Sequence, residues 1–361
     1  MNKEPIRVLH IVTYMGRGGL ETMIMNYYRH MDRSKVQFDF LVHRDFEADY
    51  DAEIITLGGK IYHLPQLNPF GYQYLSALDA FFREHREYRI VHCHLDCMAG
   101  IPLKYAKKHG VPVRIAHVHS SSQDKDVKYP IKMVYKRYIP NYATQLFACS
   151  QIAGMWMFGK QEFQLLNNAI DVACYSYATE VRAAVRAELN IRDETLVVGH
   201  VGRFDLPKNH KFLLQVFAKL PTKTCLLLVG DGKQREVVQK QAEELGVLDR
   251  VRFLGVRSDV ARLLQAMDVF VFPSLYEGLG VAVIEAQAAG LPCLISDRVP
   301  IECKKTDLVE QVSLATGEKM WAGAILRAAA QPRQHTFYQI CDAGYDIHTN
   351  ALWLQNYYES M

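Results

Sequence analysis

No apolar run in this chain approaches the ~18 residues that a bilayer-spanning helix needs. The N-terminal stretch Asn2-Lys3-Glu4-Pro5 leads straight into the strand-like Ile6–Val12, without the apolar core and small-residue cleavage site of a secretion signal. Net charge is also scarce, at +3 over 361 residues. That excludes wholesale nucleic-acid binding as an organising role. The positive excess lies entirely within residues 1–168. CxxC pairs are missing. The eight cysteines are scattered, mostly in apolar runs, which points to reduced thiols in a cytoplasmic protein rather than a disulfide framework. The nearest approach to a ligand cluster, His92-Cys93-His94 with Cys97, has no companion at finger spacing, so no metal site is expected. Linker-like Pro/Gly/Ser tracts and low-complexity segments are absent too.

Several catalytic signatures are also missing. Met15-Gly16-Arg17-Gly18-Gly19-Leu20-Glu21 and Gly230-Asp231-Gly232 look like phosphate-binding turns. The third glycine of a dinucleotide fingerprint is replaced by Glu21 in the first and Arg235 in the second. Gly59-Lys60, Gly159-Lys160 and Gly232-Lys233 are never followed by Ser or Thr, so none is a P-loop. Neither a GxSxG elbow nor an HExxH helix occurs. Asp49-Tyr50-Asp51 and Asp124-Lys125-Asp126 have the spacing of a short metal-binding aspartate pair, a spacing common in polar loops.

What remains is ordinary globular composition, 49% hydrophobic and 22% charged, in a chain long enough for two or three domains. Short apolar runs alternate with amphipathic stretches. Ile6–Val12, Phe38–Val42, Arg89–His94, Val113–His117 and Gln145–Ala148 read as strands, with helices such as Leu20–Met31 and Tyr72–His85 between them. The rhythm restarts with Leu196–Val201, Cys225–Val229, Val251–Leu254, Val269–Phe272 and Cys293–Ile295. Two α/β halves of similar size follow, each a mostly parallel sheet covered by helices. The boundaries expected are residues 1–170, 171–340 and a final helix, 341–361, that returns to the first half.

Chemistry concentrates at the ends of these strands. Three glycines within residues 16–19, opening a helix, suit close approach of an anion. Gly202-Arg203-Phe204 ends a strand, and Pro207-Lys208-Asn209-His210 opens a helix, so Arg203 and Lys208 can reach one anion. Further on, Tyr276-Glu277-Gly278-Leu279-Gly280 leads into a helix that carries Glu285. Carboxylates accept paired hydroxyls and are repelled by phosphate. The two glutamates therefore fit the sugar ends of a ligand whose charged middle meets Arg203, Lys208 and backbone amides.

Glu277 and Glu285, with seven residues between them, resemble the E-x7-E motif of retaining glycosyltransferases of the two-domain GT-B fold. The likeness to bacterial family 4 extends over Gly16–Glu21, Asn168–Asp171, Gly202–His210, Leu228–Gly232, Phe253–Gly255 and Glu277–Pro292, in the family's order. The spelling of the last segment is similar to the capsular and exopolysaccharide branch. Ala169 stands where the family's NGxD turn carries glycine.

The resemblance implies two Rossmann-like domains facing across a cleft, the N-terminal one for acceptor and the C-terminal one for a nucleotide-diphospho-sugar, taken as a UDP-sugar. It implies sugar transfer with retention, no required cofactor, and cleft closure that adds the amides of Gly18 and Gly19 to Arg203 and Lys208 at the leaving diphosphate. Implied donor contacts are Gly202, Gly230, Val256, Glu277, Gly278, Leu279, Gly280 and Glu285. Implied catalytic groups are Arg203, Lys208, Glu277 and a strand-end histidine, His119 rather than His117. On the acceptor side, Glu21 and the basic, tyrosine-rich stretch holding Lys125, Lys128, Lys132, Lys136 and Arg137 suit a polyprenyl-diphosphate-linked saccharide and an anionic surface at the inner membrane face. Rival readings are an epimerase or phosphorylase on the same fold, or a non-catalytic partner of a transferase complex.

Overall fold

The computed structural model describes residues 4–121 and 127–361, and the chain divides into two compact units. One comprises Met1–Ile170 with Asp346–Met361, the other Asp171–Tyr345.

The first unit is built on a seven-stranded sheet: β1 (Ile6–Ile11), β2 (Val36–Val42), β3 (Ile61–His63), β4 (Ile90–Cys93), β5 (Val113–Val118), β6 (Gln145–Ala148) and β7 (Gln164–Leu165). All pairs are parallel, in the order 3-2-1-4-5-6-7. Helices cover both faces, so the central strands are buried nearly throughout, their polar residues included. Alternation sorts their residues. Leu9, Ile11, Val91, Cys93, Ala116 and Val118 enter one core layer, while Val8, Val12, Ile90 and Ile115 enter the other. Asp39 on β2 is fully buried but well satisfied: Arg7 Nε donates to it at 2.6 Å, Tyr88 Oη at 2.8 Å and the Lys60 amide at 2.7 Å.

The final helix, Ile347–Glu359, returns to this unit. Ile347, Ala351, Leu354 and Tyr358 join the second core layer, and the Asp32 amide donates to Gln355 Oε1 at 2.9 Å. An isolated parallel bridge between Ile170 and Asp346 marks its entry.

The second unit carries β8 (Leu196–Val201), β9 (Thr224–Val229), β10 (Val251–Phe253), β11 (Val269–Phe272), β12 (Cys293–Ser296) and β13 (Val309–Val312), again all parallel, in the order 10-9-8-11-12-13. Helices His210–Phe217, Arg235–Glu244 and Glu318–Ala329 pack on one face through Leu213, Val216, Val238, Trp321 and Ile325. Each sheet therefore reverses strand order once, between β1 and β4 and between β8 and β11. Open parallel sheets form their ligand crevices at the carboxyl ends of strands flanking such a reversal.

None of the eight cysteines is joined in a disulfide, and six of them are buried. Among the described residues no helix is long and apolar enough to cross a membrane.

Candidate active site

β8 and β11 are neighbours, and the loops leaving their carboxyl ends are tied together. The Leu275 amide donates to the Pro207 carbonyl at 2.7 Å, and Asn209 Nδ2 to the Pro273 carbonyl at 3.1 Å. Asn209 takes the left-handed conformation (φ 54°) that lets the chain turn from Leu206–Lys208 into helix His210–Phe217. This stitching sets Lys208 beside Glu277, 69 positions later in the chain: Nζ donates to Oε1 at 2.7 Å. The two side chains are only 19% and 11% exposed, so the pair is largely withdrawn from water. Lys208 Nζ also lies 4.7 Å from the centre of the Phe272 ring. Arg203 behaves differently. Its side chain is 66% exposed, with Asp205 Oδ2 at 3.7 Å from its Nε. The fold thus fixes Lys208 in place and leaves Arg203 reaching into solvent.

The loop 273–280 ends at Gly280, which caps helix Val281–Ala288 with a φ of 87°. Leu279 is buried, so what it can offer a ligand is backbone; Gly278 is half-buried and Val256 half-exposed. Glu285, on that helix, accepts from Tyr175 Oη at 2.9 Å. Burial raises the Glu285 pKa above the usual carboxylate range, and the Tyr175 hydroxyl draws it part of the way back. Beneath Lys208 lie His200 and His210, their ring centres 4.8 Å apart. Burial lowers them to about 4 and about 2, so both rings are neutral and place no cation beneath the Lys208 ammonium. On the adjoining strand, Gly230 donates its amide to the Gly255 carbonyl at 2.8 Å, and its Cα faces the Gly202 carbonyl so closely that no side chain fits.

In the first unit, Gly18 in extended conformation precedes helix Gly19–His30, and the Glu21 carboxylate folds back against Gly18. Position 19 has open space around it. His119 follows β5, and its backbone amide donates to Asp96 Oδ1 at 2.9 Å, while Ser120 Oγ donates to Asp96 Oδ2 at 3.1 Å. Burial lowers the His119 pKa to about 3. His117, two residues earlier, is fully buried.

Nitrogens of His10, His92 and His94, and of His94, His117 and His119, come within 4.8 Å of one another, near enough to share a cation. Cys93 and Cys97 belong to the opposite core layer and do not converge with them. Asp49 and Asp51 serve local structure, accepting from the amides of Arg17 (3.2 Å) and Ala48 (2.8 Å). Asp124, Lys125 and Asp126 lie outside the described residues. Lys128 precedes helix Tyr129–Tyr142, which carries Lys132, Lys136 and Arg137.

Two family models cover most of this architecture: "Glycosyltransferase Family 4" over residues 17–159 and "Glycosyl transferases group 1" over residues 181–309. A full-length relative, "Putative glycosyltransferase EpsF" of Bacillus subtilis (strain 168), is 38% identical over 99% of this chain and 97% of its own. This chain belongs to the group 1, family 4 glycosyltransferases. The transferase is also similar, at 26% identity over 58% of each chain, to the Escherichia coli UDP-Gal:alpha-D-GlcNAc-diphosphoundecaprenol alpha-1,3-galactosyltransferase. Among solved structures, Anabaena HepE in complex with UDP and glucose matches with a TM-score of 0.81 over 99% of this chain and 100% of that one, at 17% identity. The fold of the transferase is GT-B, two Rossmann-like parallel-sheet units.

Several partners of the candidate residues escape sequence reading. Tyr175 sits in a four-residue helix with no motif, 110 positions from the carboxylate it meets. Asp96 lies in a short turn after β4 and gives no signal of its partnership with His119. His10 reads as an ordinary strand residue, and His94 draws notice only beside Cys93 and Cys97, which are not its partners. Only the order of strands brings such groups together.

Proposed function

We propose that this transferase is a retaining hexosyltransferase that moves a sugar from a UDP-sugar to a saccharide carried on a polyprenyl diphosphate, for an exopolysaccharide, capsule or related surface glycan. The observation that carries the reading is the shielded Lys208–Glu277 pair at the strand-order reversal of the second unit. As the glycosidic bond breaks, negative charge grows on the departing β-phosphate, and a cation already fixed there stabilises it without reorganising. Lys208 is assigned that role, with Arg203 and the amides of Gly202, Gly230, Gly278 and Gly280 around the diphosphate. Glu277 accepts from hydroxyls of the donor sugar, Glu285 from those of the ribose, and Val256 borders the base. Engagement of Glu277 by Lys208 supports a hydroxyl-binding role over a nucleophilic one. The acceptor hydroxyl then attacks the anomeric carbon from the face the diphosphate leaves, and its proton passes to the departing phosphate oxygen. His119 offers a neutral imidazole to a sugar hydroxyl. No cofactor enters this scheme. UDP in the HepE complex and the diphosphoundecaprenol in the Escherichia coli relative's name support the choice of donor and acceptor class.

A screen of UDP-sugars against a lipid-linked acceptor, with the anomeric configuration of the product read by NMR, tests this. Retention is expected, with a loss of ~10²-fold or more in turnover for Lys208→Ala. Inversion, or conversion of donor without acceptor, overturns it.

Peripheral membrane contact belongs to the same proposal. Lys136 Nζ lies 4.2 Å from the centre of the Trp156 ring, which joins helix Tyr129–Tyr142 to helix Gln151–Phe158. Exposed Val134, Tyr138, Ile152 and Met155 stand on these two helices with the cations. Cations mixed with apolar side chains suit anionic headgroups. Sedimentation with anionic liposomes should fall for a variant with Lys132, Lys136 and Arg137 reversed to Glu; equal binding rejects the contact.

A further inference from the structure

Five histidines share one face of the first sheet. His10 pairs in register with His92, and His94 and His119 follow the ends of β4 and β5 on the same parity. Their rings form two hydrogen-bonded chains. In one, His10 Nδ1 meets His94 Nε2 at 3.0 Å, and His94 Nδ1 meets His119 Nε2 at 2.9 Å. In the other, Tyr358 Oη meets His92 Nδ1 at 2.6 Å, and His92 Nε2 meets His117 Nδ1 at 3.1 Å. Each neutral imidazole has one N–H and one lone pair. Both contacts of the first chain are satisfied only when all three rings carry the proton on the same nitrogen. A mixed set faces two N–H groups, or two lone pairs, at hydrogen-bond distance inside the protein, where that is costly.

We propose that His10 and His94 are positioning residues that lock His119 as the Nε2–H tautomer, so that its Nδ1 lone pair is the atom offered to a sugar hydroxyl. The proposal rests on the role given to His119 above. The direction follows from the far end of the chain. With Nδ1 engaged by His94, His10 has Nε2 left, buried and without a hydrogen-bond partner among the described residues. The ring lies 4.0 Å from Phe38 and 5.7 Å from Phe40, centre to centre. An N–H is better accommodated than a lone pair among π faces. His10 is then Nε2–H and accepts at Nδ1 from His94, which accepts at Nδ1 from His119. The His119 Nδ1 atom, buried and unpartnered among the described residues, is left as an acceptor. Burial disfavours a charge on every ring of the chain. The second chain serves as an internal control. It ends at the Tyr358 hydroxyl, which can donate to or accept from His92, and among the described residues it shares no hydrogen bond with the first chain.

The test is long-range proton–nitrogen NMR of the full-length protein, ring-labelled at histidine, with assignments from single substitutions. His10, His94 and His119 are expected as Nε2–H near neutral pH. His10→Phe removes the acceptor for His94. Mixed tautomers at His94 and His119 should follow, with kcat down about tenfold, less than the ~10²-fold of losing a proton-handling group outright. The donor KM and the signals of His92 and His117 should hold. His10→Asn, whose amide oxygen falls near the place of Nδ1, should restore one tautomer and most of kcat. Should His10→Phe not fold, the wild-type spectrum and His10→Asn still decide. Mixed tautomers, an Nδ1–H His119, or a metal ion found bound to these rings by elemental analysis overturns the proposal. His119→Ala with unchanged turnover would instead remove the catalytic role while leaving the tautomer result intact.

Discussion

Glu285 is a carboxylate held in tension between two effects. Burial pushes its pKa up, and the Tyr175 hydroxyl lowers it by bonding to the charged form. If Glu285 accepts from the ribose, its ionised state is the binding state. Tyr175→Phe removes the opposing effect, so the pKa rises further and donor binding should fail at a higher pH than in the wild type. A lost hydrogen bond to a charged group costs about 1.5–3 kcal/mol, or roughly 10- to 150-fold in donor KM. The variant should therefore show a raised KM near neutral pH, with kcat little changed and the acid limb of KM displaced upward. An unshifted pH profile would remove Tyr175 from this role.

The turns between elements are where backbone geometry decides what can be bound. Gly230 has a φ of 129°, and a Cβ built there would meet the Gly202 carbonyl oxygen at 2.1 Å. Gly280 has a φ of 87°, but its Cβ would have ordinary contacts, the nearest at 3.5 Å. Gly280→Ala should cost only the left-handed strain, roughly 1–2 kcal/mol. Gly230→Ala adds displacement of the loop after β8 and should cost more than the ~3 kcal/mol usual for a strained backbone. Urea unfolding of the two variants measures the difference, and nucleotide binding should survive only in the first. Equal destabilisation would mean that the close approach of β8 and β9 loops is not needed.

Across the whole molecule, the buried imidazoles make stability depend on pH. His119 and His200 are held near pKa values of about 3 and 4, and His10, His92, His94 and His117 are lowered well below 6.5, in each case chiefly by burial. In the unfolded chain these groups take up protons below about pH 6.5. Their contribution is therefore fully present above that pH and is lost as pH falls toward the folded values, at about 1.4 kcal/mol per pH unit for each ring that stays neutral on folding. Urea midpoints at pH 7.5, 6 and 5 should drop steeply across the last interval. A flat profile would mean that the rings protonate in the folded state. Removing residues 347–361 should destabilise the first unit, because Ile347, Ala351, Leu354 and Tyr358 supply part of its core and Tyr358 anchors His92; loss of the cooperative unfolding transition checks this.

The two α/β halves, most of the strands, the returning final helix and the Gly-rich turns were legible in the order of residues, because periodicity and turn chemistry are local properties. Not legible there were the edge strands Ile61–His63, Gln164–Leu165 and Val309–Val312, which are partly exposed and present no continuous apolar run. Glu277, Glu285, Arg203, Lys208 and His119 were legible as chemistry. Their partners were not. Whether Lys208 meets Glu277, Tyr175 meets Glu285, or His10 reaches His119 through His94 depends on which strands lie side by side. Strand order is fixed by packing of residues far apart in the chain, so these contacts exist only once the chain has folded.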